Sequence, residues 1–226
     1  MKVVTSGGTI SRMKYSVEQN TPGWMALRSA CLCTASELHD LLYNPAALFD
    51  RKTRANAAFE GSHWTSRGHD MEPVVRNWTN DLMPEQRYAP GAFHTLKFKD
   101  LVLGASPDAE GVDTLLEIKC RFDTGKERKV VNAVDPKHYA QLAGQALVCD
   151  KEHVLYACWD EMDADSLYLS WFSVPNRDVL FAKLIRPALS SFALALRTGV
   201  RPKPYSTNEK LLTSTALMKM IKTNYL

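Results

Sequence analysis

Two rhythms of apolar residues run along this chain, one with a spacing of three or four and one that alternates, and they predict helices and strands respectively. Residues 1–20 are polar and glycine-containing and predict a poorly ordered entry. After the turn Thr21-Pro22-Gly23, Trp24 to Ala30 predicts a short helix with Trp24 and Leu27 inward. Thr34 or Ser36 caps a second helix, with Glu37 in its first turn and an apolar stripe of Leu38, Leu41 and Leu42. Residues 44–60 read as a loop or broken helix, in which Arg51-Lys52-Thr53-Arg54 lie beside Phe49 and Phe59. Trp64, Gly68, Met71, Val75, Trp78 and Leu82 mark a helix over 64–81. Pro73 predicts a kink or a helix start there, because a proline pushes the preceding residue, Glu72, out of the α region.

Phe93-Leu96-Phe98, a Lys99-Asp100 turn and Leu101 to Ala105 predict a hairpin. The runs Leu101-Val102-Leu103 and Leu115-Leu116 flank the polar turn Ala109 to Asp113 and predict two antiparallel strands joined by a short loop, the second spanning 114–120. Side chains alternate across a strand, so Glu117 and Lys119 share a face and Ile118 points into the core. Pro107, lacking an N–H, belongs at a strand end and leaves Asp108 where that strand frays. Asp135-Pro136 opens a helix to about Val148, with Gln141 and Gln145 on one face and His138 a turn earlier. His153 to Trp159 and Leu167 to Val174 predict two strands around an acidic hairpin tip, residues 160–165, that lacks calcium-loop spacing. Asn176 caps a helix over 177–198, interrupted by Pro187 and ended by Gly199, and a last helix spans 207–222. The order predicts an α/β fold, a mixed β-sheet flanked by helices, with extra helices at both ends. With no internal repeat, one domain over 1–226 is expected: a core of about 24–175 and a C-terminal helical extension of about 176–226.

Composition narrows the class. At 226 residues and 45% hydrophobic content the chain can bury a full core, and a net charge of +3 permits nucleic-acid binding without demanding it. From Lys119 to Lys137, six Lys/Arg face three acids, a run that taken alone reads as a solvated loop. The five cysteines, Cys31, Cys33, Cys120, Cys149 and Cys158, are odd in number and hold no C-x-x-C pair, so no disulfide framework or zinc finger is indicated. Met1 to Ser16 carries no signal-peptide run and no stretch reads as crossing a bilayer. A soluble cytoplasmic protein is expected.

Asp108, Glu117 and Lys119 suggest a chemistry. Hydrolysing a phosphodiester needs an activated water, charge relief at the pentavalent centre and a stabilised leaving oxygen, which two divalent ions about 4 Å apart can supply. Such hard cations take oxygen ligands, here Asp108, Glu117 and the carbonyl of Ile118, while Lys119 orients the attacking water or neutralises charge. Arg51 and Arg54, basic groups among aromatics, fit either contact with a nucleic-acid backbone or a plain surface loop.

Trp24…Arg28…Thr34-Ala35-Ser36-Glu37, Gly68…Glu72, Ser106-Pro107-Asp108, Leu116-Glu117-Ile118-Lys119-Cys120 and Tyr139-Ala140-Gln141 together resemble the motif series of the phage lambda exonuclease family, the YqaJ-like viral recombinases of the wider PD-(D/E)xK nuclease group. The resemblance covers roughly residues 24–160, in order. It implies a restriction-endonuclease-like core and a Mg²⁺-dependent 5′→3′ exonuclease, with Mn²⁺ as a substitute. Such an enzyme processively degrades one strand of double-stranded DNA from free ends to 5′-mononucleotides and leaves a 3′ overhang. It further implies a homotrimeric ring and a single-strand annealing protein as partner. By position, Asp108, Glu117 and the Ile118 carbonyl would hold the metal, and Lys119 would act on the nucleophile. Glu72 nearby would be a further catalytic carboxylate that ligates directly or through water. Arg28, Ser36, Ser106 and Gln141 would gather the 5′-phosphate, and Arg51 and Arg54 would touch DNA ahead of the site. Two alternatives stay open: a structure-specific endonuclease on the same core, and a non-catalytic DNA-binding subunit. The latter is disfavoured because clustered, metal-free carboxylates repel and resist desolvation.

Overall fold

The computed structural model describes residues 2–5, 8–54, 63–123, 131 and 133–225. The predicted contributions of Phe59, Lys126, Arg128 and Lys129 lie outside them.

The chain opens with a hairpin, β1 (Lys2–Thr5) and β2 (Gly8–Tyr15), where the sequence predicts a disordered entry. Strand β2 buries only Ile10, so it shows no apolar alternation; six residues of antiparallel pairing with a later strand hold it instead. Next come α1 (Pro22–Ser29), the short β3 (Cys33–Thr34), a 3₁₀ turn (Ala35–Glu37), α2 (Leu38–Tyr43) and α3 (Pro45–Thr53). Helix α1 begins at Thr21, whose hydroxyl accepts from Trp24 N. Thr34, not Ser36, begins the 3₁₀ turn, and the Glu37 carboxylate accepts from Thr34 N at 2.9 Å and from its hydroxyl at 3.0 Å. The segment predicted as a loop or broken helix contains α3, set off by Pro45 in the first turn. Helix α4 (His63–Leu82) runs through Pro73 without starting there.

Then follow β4 (Ala89–Pro90), β5 (Phe93–Phe98), β6 (Leu101–Ala105), β7 (Ala109–Glu110) and β8 (Thr114–Arg121). After a 3₁₀ turn (Pro136–His138), capped by Asp135 as expected, come α5 (Tyr139–Val148), β9 (His153–Asp160) and β10 (Leu167–Ser173). The next helical stretch is α6 (Arg177–Leu180), a π-helical turn (Phe181–Ile185) and α7 (Arg186–Thr198), ended by Gly199 at φ 68°. Pro187 sits in the first turn of α7, where its missing N–H matters least, so the helix continues past it. The expected 207–222 helix stops early: α8 (Thr207–Met218) gives way to β11 (Lys222–Tyr225), which pairs with β10.

The fold is mixed α/β, with two mixed sheets flanked by helices rather than one. A five-stranded sheet runs β1-β2-β5-β6-β3 and a six-stranded sheet runs β11-β10-β9-β8-β7-β4. This corrects the expected antiparallel pairing of 101–105 with 114–120. Strands β6 and β8 lie in different sheets, and it is β7 that pairs with β8, Ala109 opposite Leu116. The reason is Pro107, which cannot donate to a ladder and ends one sheet before the chain enters the other. Strands β8 and β9 are parallel, so their connection must cross over, and α5 lies on that crossover.

Helix α5 is apolar nearly all round, burying Ala140, Leu142, Ala143, Ala146, Leu147 and Val148 in the main core with Leu115, Val154, Tyr156 and Cys158. A second cluster, Leu116, Ile118, Leu155, Ala157 and Trp159 with Val75 of α4, forms on the opposite face of β8 and β9. One helical stretch, Arg177–Thr198, is long and apolar enough to cross a membrane by length and composition, contrary to the sequence reading. Here it buries Leu180, Phe181, Ile185, Leu189 and Phe192 in the main core.

Candidate active site

Alternation along β8 sets the site. Leu116 and Ile118 face α4, so Glu117 faces α5 with Leu115 and Lys119. Glu117 is 1% exposed, and its charge is met by three donors. Lys119 Nζ and Gln141 Nε2 donate to Oε1, the latter at 2.5 Å, and Gln145 Nε2 donates to Oε2 at 2.5 Å. Gln141 and Gln145, one turn apart on α5, thus clamp both carboxylate oxygens. Gln145 Oε1 is buried and has no hydrogen-bond partner among the described residues.

Asp108 reaches β8 from the link between the sheets and accepts from Ile118 N at 2.6 Å. Burial and then the neighbouring Glu117 push its carboxyl well above the ordinary range, only partly opposed by Lys119. Burial acts against charge on Lys119, yet Glu117 and Asp108 prevail and hold the ammonium above the usual lysine range. Two acids and one cation therefore share the region where the sheets meet, beside β8, an interior strand of its sheet.

Across the cavity stands a second group of polar residues. Arg28 Nη2, from the last turn of α1, donates to Ser36 Oγ at 2.8 Å. Its guanidinium carbon lies 5.3 Å from the centre of the Trp24 ring, whose Nε1 donates to Ser106 Oγ at 3.1 Å. Ser36 Oγ is also 3.1 Å from Thr34 Oγ1. Together Trp24, Arg28, Thr34, Ser36 and Ser106 line one cavity of about 140 Å³ with Asp108, Glu117, Lys119, Gln141 and Gln145. That is smaller than the roughly 300–1,000 Å³ of pockets that enclose whole small-molecule ligands, and it suits one terminal group.

The other predicted residues lie elsewhere. Glu72 does not line this cavity; it is on α4, across the sheet, with Oε1 3.1 Å from His69 Nδ1. Burial raises its carboxyl, His69 opposes the rise, and Glu117 adds to it, so Glu72 lies within electrostatic reach of the site. Arg51 pairs with Asp40 and neighbouring Lys52 with Glu37 at 3.0 Å, so this basic cluster is partly neutralised. Arg54 follows the end of α3 and is exposed.

Sequence reasoning did not assign Gln145 to the site, although its i,i+4 relation to Gln141 was the signal. Trp24 and Thr34 stood in the motif series but were given no role at the site beyond packing and capping. His138 Nδ1 lies 3.1 Å from the Tyr156 hydroxyl, and burial, with Lys119 adding to it, brings its pKa down to about 4.

Among the described residues no three His, Cys, Asp or Glu side chains converge to hold an ion. Asp108 and Glu117 nonetheless supply the hard oxygen donors that magnesium or manganese takes, and the unpartnered Gln145 Oε1 adds a buried acceptor. The donor set fits a divalent cation that would share or replace one of Glu117's present donors, with main chain or water completing the shell.

No protein-family model matches the sequence, and no curated protein matches it. Among solved structures the chain is similar in fold to an alkaline exonuclease, LHK-Exo, from Laribacter hongkongensis, at 20% identity and a TM-score of 0.58 over 88% of this chain and all of that one. A structure of LHK-Exo in complex with dAMP matches at 19% identity and a TM-score of 0.59, with the same coverage. The chain therefore shares the fold of this exonuclease, consistent with a restriction-endonuclease-like core.

Proposed function

We propose that this chain is a Mg²⁺-dependent 5′→3′ exonuclease that degrades one strand of double-stranded DNA to 5′-mononucleotides, leaving a 3′ overhang. One observation carries the reading: the Arg28–Ser36–Ser106 group and the Asp108–Glu117–Lys119 group line the same small cavity. Arg28 supplies a guanidinium fork, and Ser36 and Ser106 supply hydroxyl donors for a phosphate. A cavity of this size takes the end of a strand more readily than a continuous duplex. The polarity rests on the resemblance of the motif series. LHK-Exo, similar in fold, is an alkaline exonuclease, and it has been solved with dAMP, a nucleotide of the kind this reaction would release.

Asp108 and Glu117, with the carbonyl of Ile118, would hold the metal, and Glu72 would act from across the sheet through water. A bound divalent ion supplies Lewis-acid activation of water and neutralises charge on the phosphoryl oxygens. Lys119, kept charged by its two carboxylates, holds the attacking water and offsets the growing negative charge. Gln141 and Gln145 keep both oxygens of Glu117 fixed, and Gln141 lines the cavity shared with Arg28, Ser36 and Ser106, where it would help gather the phosphate. Arg51 and Arg54 would contact the duplex ahead of the site. We further propose a homotrimeric ring, for which exposed Leu194, Val200, Leu211 and Leu212 offer apolar contact surface, and a single-strand annealing protein as partner. The setting would be a phage-infected or bacterial cytoplasm.

Digestion of linear duplex labelled separately at its 5′ and 3′ ends, alongside covalently closed plasmid, tests this. The expected result is metal-dependent release of 5′-label as mononucleotide with the plasmid intact. Nicked plasmid would favour the endonuclease, and no release at any Mg²⁺ or Mn²⁺ concentration would favour the non-catalytic subunit.

A further inference from the structure

At the far end of the five-stranded sheet, the two-residue turn Lys99-Asp100 joins β5 to β6, with Phe98 paired to Leu101. Lys99 adopts φ 55°, a left-handed conformation that hairpin turns usually give to Gly, Asn or Asp. A lysine in that position is held against its conformational preference.

Two cations share one ring. Lys99 Nζ and the Arg186 guanidinium carbon each lie 5.6 Å from the centre of the Phe98 ring. Phe98 is buried and braced edge-on by Phe181 at 5.7 Å, so the platform is fixed. Arg186 opens α7 immediately after the π-helical turn, a local widening often found at functional sites. Among the described residues no carboxylate is paired with Lys99 or Arg186. Asp100 is instead engaged by Arg197 at 3.1 Å. These residues and Ser190 line a pocket of about 290 Å³, in which three cations outnumber one acid. An anion entering this pocket would meet the charges of Lys99, Arg186 and Arg197 against the single acid Asp100.

We infer that Lys99, Arg186, Ser190 and Arg197 form a second phosphate-binding site, which takes a backbone phosphodiester of the duplex away from the end being cut. Leu101 of this pocket opens β6 and Ser106 of the candidate active site directly follows its last residue, five positions on, about 17 Å at ~3.3 Å per residue. That is about five base steps of duplex axis. The DNA assignment rests on the nuclease reading, whereas the anion site itself rests only on this cation cluster.

The test compares wild type with Lys99→Gln/Arg186→Gln in EDTA, so that binding is read without cleavage. Affinity is measured against salt for a duplex long enough to span both sites, for one too short to do so, and for inorganic pyrophosphate. The expected result is about tenfold weaker binding of the long duplex only, with the slope of log K on log salt reduced by about 2. Pyrophosphate binding should fall with it, and the thermal midpoint should hold. Unchanged long-duplex affinity and slope overturn the inference. Loss of pyrophosphate binding alone would mean a small-anion site and would overturn the DNA assignment. A wild type that cleaves, with a double variant that binds equally well, sinks this inference alone. A wild type that never cleaves but whose duplex binding is weakened by the substitutions sinks the nuclease reading alone.

Discussion

Gln145 Nε2 donates to Glu117 Oε2 at 2.5 Å while its own Oε1 stays buried without a partner among the described residues. A side chain that satisfies a buried carboxylate yet leaves its acceptor open is spent on holding Glu117. Gln145→Leu should lower cleavage of 5′-phosphorylated duplex by about 10- to 100-fold, the worth of roughly 1.5–3 kcal/mol for a hydrogen bond to a charged group. Turnover measured beside the thermal midpoint checks this; full activity in a folded variant would remove Gln145 from the site.

Lys119 is the only cation donating to Glu117 among the described residues. Lys119→Ala should abolish cleavage while duplex binding survives, as read by gel-based product sizing and by anisotropy. Turnover at the wild-type rate would take Lys119 out of the mechanism.

The Arg28–Ser36 contact at 2.8 Å holds a guanidinium beside a hydroxyl that lines the same cavity. Arg28→Ala should erase any preference for 5′-phosphate over 5′-hydroxyl ends, with less effect on hydroxyl substrates. The ratio of kcat/KM for the two ends is the measurement, and an unchanged ratio contradicts the assignment.

Glu110 joins elements of both sheets. Its carboxylate accepts from Ala92 N at 2.8 Å and His94 Nε2 at 2.9 Å, and it pairs with Lys14 at 2.8 Å. Burial alone would raise its pKa, but the bonds from His94, Lys14 and Ala92 bring it down to about 2. A pKa lowered on folding gives stability that is present above the unfolded value, near 4.5, and is lost as pH falls toward 2. Its size is roughly 2 kcal/mol once screening of the exposed Lys14 is allowed for. Urea unfolding of wild type and Glu110→Gln across this range should show the two converging as pH falls.

Gly91 lies against the chain that carries Asp108. A Cβ there would meet the Pro107 carbonyl oxygen at 2.0 Å and its carbon at 2.9 Å, both backbone atoms. Gly91→Ala should destabilise by about 1–3 kcal/mol and depress cleavage by shifting Asp108. Gly23→Ala, whose Cβ meets nothing within 4 Å, is the matched control and should leave both unchanged or slightly improved.

Much of the local structure is legible in the residues themselves. The Asp135-Pro136 opening, the Lys99-Asp100 hairpin, the Gly199 stop and the common face of Glu117 and Lys119 all follow from capping chemistry, turn length and strand alternation. These depend on neighbours a few positions away, which the sequence states directly. Only the tertiary structure separates β6 from β8, because Pro107 marks a break without saying which sheet receives the chain beyond it. Strands β2 and β11 were hidden for the same reason: partners distant in the chain, β5 and β10, hold them, and neither shows an apolar alternation. Gln145 differs from any surface glutamine only because the β8–α5–β9 crossover lays it against a buried carboxylate. Periodicity decides which way a side chain points; what it meets there is set by strand pairing and packing across the whole chain.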